Sequence, residues 1–472
     1  MSAASRLRAL GLGPGKELRA LSASGQLGYG IPEKAFHEGL ARNPHFIGCD
    51  MGSIDSGPFY LGAGRLQTSD AITRRDMRMV LNAAIKMNVP LLIGTAGTAG
   101  AAPHLAITLD FVREIAQEDG LSFRMAVIAA DIPKGLLKAA VRAGRTRPLG
   151  MIDGLTEETI DKATNIVGQM GVDAYIRALE MDADVIIAGR ACDTAIFAAI
   201  PYWLGYPMAS SLHMAKIIEC TSICCVPGGR DAMLGTLSGD SFVLESMNPN
   251  RAATPLSVAA HSLYEQADPL TVYEPEGALH VGTARFEAVD SRRTRVTGAT
   301  WEPAVQPTVK IEGAEWLGER VVVCAGTADP AVIANIDRIT REVGENVDGI
   351  LGEKEKGRYK VHFHAYGTGA VSLFPHTTPP PKPSEVFFLV ECVAETADLA
   401  KAAASVTKQF LLHHGFPGRL STGGNIAFPF TPPELSANSA YRFTIYHLME
   451  TDDLEGLFPV RIEEVINAPG SR

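Results

Sequence analysis

The feature that most constrains this chain is an alternation. Short apolar runs ending in Gly or Asp are separated by longer stretches with apolar residues at helical spacing. The runs are Phe46-Ile-Gly-Cys-Asp50, Val89 to Gly94, Arg124 to Asp131 and Ala183 to Gly189. Between them, Asp70 to Met87 and His104 to Asp119 read as helices, and Thr156 to Met181 as a further long helix interrupted near Gly168 and Gly171. Strands that alternate with helices pair in parallel through right-handed crossovers. The first half is therefore expected to be a mostly parallel α/β sheet with helices on both faces. Ligands of such sheets bind beyond the carboxyl ends of the strands, so the residues just after each run are the candidates for chemistry.

After about Pro227 the texture changes. Gly228 to Pro255 is rich in turn residues, and Leu279 to Val323 reads as short β runs, among them Arg293 to Val296. Arg358 to Tyr366, Glu385 to Ala394 and Tyr441 to Met449 have strand patterns, and Thr396 to His414 is an Ala-rich helix. Pro375 to Ser384 reads as a stiff, extended linker. The expected class is α/β followed by an α+β C-terminal half. Its expected divisions are an α/β domain at 1–226, a β-rich region at 227–374, the linker at 375–384 and a small α+β region at 385–472.

With 43 basic against 53 acidic residues the net charge is −10, and no basic block breaks the pattern. That argues against nucleic acid as a partner, because duplex affinity rests on clustered Lys and Arg. No apolar run is long enough to span a bilayer, and Met1 to Ala20 lacks the apolar core of a signal peptide. The seven cysteines include a close group, Cys220, Cys224 and Cys225, without the second cluster a zinc site needs. Reduced thiols in a cytoplasmic protein are the expectation.

Four strand ends carry the candidate chemistry. After the first run, Asp50-Met-Gly-Ser53-Ile-Asp55 offers a carboxylate at the strand end and a glycine turn with Ser53. The second run enters Gly94-Thr95-Ala-Gly97-Thr98-Ala-Gly100, followed by Pro103 and His104 at a helix start. Glycine amides plus a helix N-terminus form an anion cradle, and His104 can serve as acid or base. The spacing is neither a Walker loop nor the dinucleotide fingerprint, which disfavours ATP hydrolysis and oxidoreduction. The third run leads to Asp131 and Lys134, a carboxylate with a cation three residues on. The fourth leads to Arg190, Cys192 and Asp193: a carboxylate-binding fork, a thiol and an acid. His213, Lys216 and Glu219 share neighbouring positions of one helix, and His362 and His364 share one strand face, compatible with a metal. The Gly423-Gly424-Asn425 turn reads as structural.

Five segments together are similar to those of the AtuA (acyclic terpene utilisation) family. They are IGCDMGSIDSGP (Ile47 to Pro58), LIGTAGTAGAAPH (Leu92 to His104), ADVIIAGRACDTAIF (Ala183 to Phe197), AHSLYEQADP (Ala260 to Pro269) and STGGNIAFPFTPPE (Ser421 to Glu434). The resemblance implies a catabolic setting in which branched acids are broken down as CoA thioesters. It supplies pathway context, and the site residues rest on the strand-end argument alone.

The expected function is acid–base catalysis, as a lyase, hydratase or isomerase, on a small branched carboxylate or its CoA thioester. Asp50, Asp131, Asp193, His104 and Arg190 would form the catalytic set. Ser53, Gly94, Thr95, Gly97, Thr98, Gly100, Lys134 and Arg190 would bind the anion. Two alternatives stay open: a hydrolase using a metal-bound water or Cys192, and a non-catalytic acyl-binding subunit. No cofactor is expected beyond CoA as part of the substrate, with a divalent metal left open. Val386 to Val393 is apolar enough to pack against a second copy of the chain.

Overall fold

The structure, a computed structural model, describes residues 1–371, 382–420 and 423–466. Most of the expected Pro-rich linker lies outside the described residues. The chain forms two compact units, one of residues 1–315 with the segment from Phe443 onward, the other of Trp316–Arg442. The compositional change near Pro227 falls inside the first.

The first unit is built on a ten-stranded sheet. Its centre is five parallel strands: β1 (Leu18–Ser24), β2 (Phe46–Asp50), β3 (Leu91–Gly94), β4 (Phe123–Ile128) and β5 (Val185–Ala188). Their spatial order is β1-β2-β3-β5-β4, with antiparallel strands added at both edges. Side chains alternate between two apolar layers, as a strand's period of two requires. Ile47, Leu91, Ile93, Val185 and Ile187 face helices α1 (Asp70–Met87) and α2 (Ala102–Asp119). Phe46, Leu92, Ala126 and Ile186 face α3 (Val172–Glu180), α4 (Asp193–Trp203) and α5 (Met208–Ile218). The expected two-sided α/β sheet is present.

Two readings are corrected. Thr156 to Met181 is not one helix: Glu157–Lys162 is helical, Ala163–Gly168 is a strand, and α3 follows. Residues 163–168 pair antiparallel with residues 311–315, a partner that local spacing does not reveal. The turn-rich stretch after Pro227 contains a hairpin, Met233–Ser238 with Ser241–Ser246, which extends the sheet from β1.

In the second unit, strand Val386–Ala394 lies between Tyr359–Tyr366 and residues 319–327. Its alternate residues Val386, Phe388, Val390 and Cys392 are buried with Ile339 and Val343 of helix Ile336–Leu351 and Ala403 of helix Ala397–His413. One face of this apolar strand is thus covered within the unit, while Phe387 on the other face is 43% exposed. Asn425 donates to the carbonyls of Leu411 and His414, so the glycine turn before it is structural. Among the described residues no helix is long and apolar enough to cross a membrane.

Candidate functional site at the strand ends

β3 and β5 are neighbours, yet they feed helices to opposite faces: β3 leads to α2, and β5 leads to α4. This divergence marks the topological switch point, the position at which open α/β sheets as a class bind ligands. The two loops that leave it interlock. The Thr95 amide donates to the Gly189 carbonyl at 2.9 Å, Ala96 to Ala188 at 2.9 Å, and Arg190 to Gly100 at 3.2 Å. A Cβ on Gly100, whose φ is +69°, would stand 2.1 Å from the Arg190 nitrogen, and one on Gly52 would stand 2.0 Å from the Thr98 carbonyl. The glycines bring three strand-end loops together. The amides of Thr95, Ala96 and Gly100 are therefore given to the protein's own carbonyls.

The N-terminus of α2 is likewise filled from within, because the Ala102 amide donates to Asp131 Oδ1 at 3.1 Å. Burial raises the Asp131 carboxyl above its ordinary range. Lys134 turns away and donates to the Asp161 carbonyl. His104 is buried, its Nε2 3.0 Å from the Tyr60 carbonyl, and burial holds it neutral. Ser53 Oγ accepts the Asp55 amide in a local turn.

Arg190 is at the centre. Its Nε donates to Glu312 Oε2 at 2.8 Å and its Nη2 to Oε1 at 3.3 Å. Its Nη1 reaches Thr95 Oγ1 and the Ala191 carbonyl, both at 3.3 Å, and stands 3.9 Å from Asp193 Oδ1. Lys310 Nζ lies 3.2 Å from Glu312. Burial alone would push Glu312 up, but Arg190 and Lys310 outweigh it and hold the carboxylate ionised. The guanidinium fork expected to receive a substrate carboxylate is thus held by Glu312. Arg190 is a buried, fixed positive charge within the protein's own network.

Around it three acids converge from three elements: Asp50 at the end of β2, Asp193 in the first turn of α4, and Glu219 just after α5. Asp50 accepts the Met51 amide at 2.8 Å. Burial, then the Asp193 charge, lifts its carboxyl well above the usual range, with Arg190 opposing. Glu219 accepts Lys216 Nζ at 2.5 Å, yet burial, reinforced by Asp193, pushes it up to about 8. Asp193 is also raised by burial, against Arg190 and Lys216. Its side chain is 38% exposed, whereas that of Glu219 is 4% exposed.

Buried Glu274 and half-buried Glu276 add two more acids, each pushed by desolvation to about 7. The first accepts the Thr194 hydroxyl at 2.5 Å, and the second accepts the Asp173 amide and caps α3. Burial, then Glu274, drives the Cys192 thiol well above its ordinary range.

Of the residues expected from the strand ends, the structure brings Asp50, Thr95, Arg190, Cys192 and Asp193 together. Lys134 stands outside, His104 is engaged by the Tyr60 carbonyl, and Asp131 caps α2 from the loop after β4. Glu312, Glu274, Glu276 and Tyr175 were not foreseen. Glu312 left one trace, a Lys310-Ile-Glu312 pattern that puts both charges on one strand face against apolar Val309 and Ile311. Elsewhere, His364 Nε2 lies 3.4 Å from Glu391 in the second unit. Among the described residues no group of three or more His, Cys, Asp or Glu side chains is arranged to hold a metal ion.

Fold and site together define an open α/β protein with a cluster of acidic side chains at the sheet's switch point. The profile of the acyclic terpene utilisation family protein AtuA matches residues 70–232 and 236–432, and the chain belongs to that family. Membership carries a role in acyclic terpene utilisation. No curated protein and no solved structure matches the chain.

Proposed function

We propose that the protein is a catabolic enzyme for a small branched carboxylate or its CoA thioester, working by acid–base catalysis as a lyase, hydratase or isomerase. The observation that carries this reading is the convergence of Asp50, Asp193 and Glu219 beside Arg190 and Lys216. Acids crowded together with little access to water cannot all ionise, so some keep their protons near neutral pH while another acts as base.

Asp193 fits the base. It is the most accessible of the three, and it sits beside the Arg190 and Lys216 cations at the N-terminus of a helix, all of which favour the carboxylate. Asp50 and Glu219, more deeply buried and raised further, fit the proton donors. A base that takes a proton next to a carbonyl, and an acid that returns one elsewhere, suffice for isomerisation. With water added or lost, they suffice for hydration or elimination. Hydrolysis through Cys192 has less support, because its thiol is held protonated.

The test is turnover by the purified protein of branched, unsaturated acids and their CoA thioesters, with products read by mass spectrometry. Asp193→Asn and Glu219→Gln should each lower the rate by about 100-fold or more. Binding of these compounds without turnover would leave the protein a non-catalytic acyl-binding subunit.

A further inference from the structure

Tyr175 lies on α3, fully buried, and its hydroxyl has no hydrogen-bond partner in the structure. It points to the carboxyl end of β3. A Cβ on Gly94, the last residue of that strand, would come within 2.9 Å of the Tyr175 oxygen, so glycine leaves the room the hydroxyl occupies. Asp50, Cys192 and Asp193 are its electrostatic neighbours; burial first, then these groups, holds the phenol protonated. An unpaired buried hydroxyl destabilises the fold, a cost that phenylalanine would avoid. Buried polar groups without partners are rare enough to require an explanation.

We propose that the Tyr175 hydroxyl, beside Asp50, is the hydrogen-bond donor for a carbonyl oxygen that becomes anionic during the reaction. This rests on the acid–base reading above and narrows it to substrates that pass through an enolate: a carboxylic acid or thioester with a removable proton on the carbon next to the carbonyl. The Asp193 carboxylate takes that proton. The electron pair of the broken C–H bond forms the carbon–carbon double bond, and the carbonyl π pair moves onto oxygen. Tyr175 keeps its proton and donates a hydrogen bond to that oxygen throughout. A neutral phenol beside a protonated carboxyl suits the task, because neither donor needs water to reorganise around it as charge develops.

4-Nitrophenol is the probe, since its phenolate mimics an enolate and its ionisation can be followed by visible absorption. Wild type should bind the phenolate in preference to the neutral phenol. Tyr175→Phe should weaken phenolate binding by about tenfold or more. Its melting temperature should hold or rise, because the lost hydroxyl had no partner. If Tyr175→Phe melts lower and binds phenolate as wild type does, the hydroxyl is structural and the inference is overturned while the acid–base reading stands. If wild type shows no preference for the phenolate, the inference is overturned, while the acid–base reading stands or falls on turnover of the acids and thioesters themselves.

Discussion

Glu312 receives Arg190 at two points, Nε at 2.8 Å and Nη2 at 3.3 Å, with the carboxylate fully buried. An ion pair so placed fixes the strand-end loops, because Arg190 also reaches Thr95 and the Ala191 carbonyl. Removing one partner strands a buried charge. Glu312→Ala should cost about 3–5 kcal/mol in urea unfolding, and Arg190→Ala somewhat less, since Lys310 still pairs with Glu312. The double change Arg190→Met with Glu312→Leu should recover most of that stability without restoring activity. Equal stability of wild type and Glu312→Ala would show the pair to be dispensable.

Loop interlocking gives a second expectation. Gly100→Ala places a methyl 2.1 Å from the Arg190 nitrogen at a φ of +69°. Neither backbone can yield without breaking the hydrogen bond from Arg190 to Gly100. The variant should lose on the order of 3 kcal/mol in thermal or urea unfolding. Gly135→Ala, where the added methyl meets open space, is the control and should be nearly neutral.

The raised acids give stability a pH slope of definite sign. Glu219 moves from its ordinary 4.5 to about 8 in the folded protein. Between those values the folded chain holds a proton that the unfolded chain has released, so this contribution is lost as pH rises. Glu219→Gln should therefore gain on wild type as pH climbs from about 5 to about 8, with a constant offset for the Lys216 bond. His261, which burial and then Lys216 depress to about 4, works in the opposite sense and destabilises the fold as pH falls below 6.5. Melting curves of wild type and Glu219→Gln across this range separate the two. A pH-independent difference would refute the raised Glu219.

Cys192 offers a chemical check. With its thiol held protonated, alkylation by iodoacetamide at neutral pH should be slow in the native protein and fast after unfolding, as peptide mass spectrometry can resolve. Cys192→Ala should retain most activity. Rapid native alkylation with complete loss of activity would return the thiol to the chemistry.

The parallel strands were legible because their signal is local: an apolar run, a Gly or Asp at its end, then a helix. Asp50, Arg190 and Asp193 followed from that, since a parallel sheet puts every such end on one rim. What stayed hidden depends on pairing between distant segments. Glu312 belongs to a strand that reaches the site only by pairing with residues 163–168, themselves hidden inside an apparent helix. The glycine loop misled for a related reason. Its amides do satisfy acceptors, but the acceptors are the carbonyls of neighbouring loops, which sequence does not place. The carboxylate expected on Arg190 came from within the chain.

The most direct measurement is solvent deuterium incorporation next to the carbonyl of branched acids and their CoA thioesters, followed by mass spectrometry. Wild type should catalyse this exchange, and Asp193→Asn should slow it by about 100-fold or more while remaining folded. Exchange that proceeds undiminished in Asp193→Asn, or that wild type fails to catalyse on any of these compounds, would contradict an acid–base site at the ends of β2, β3 and β5.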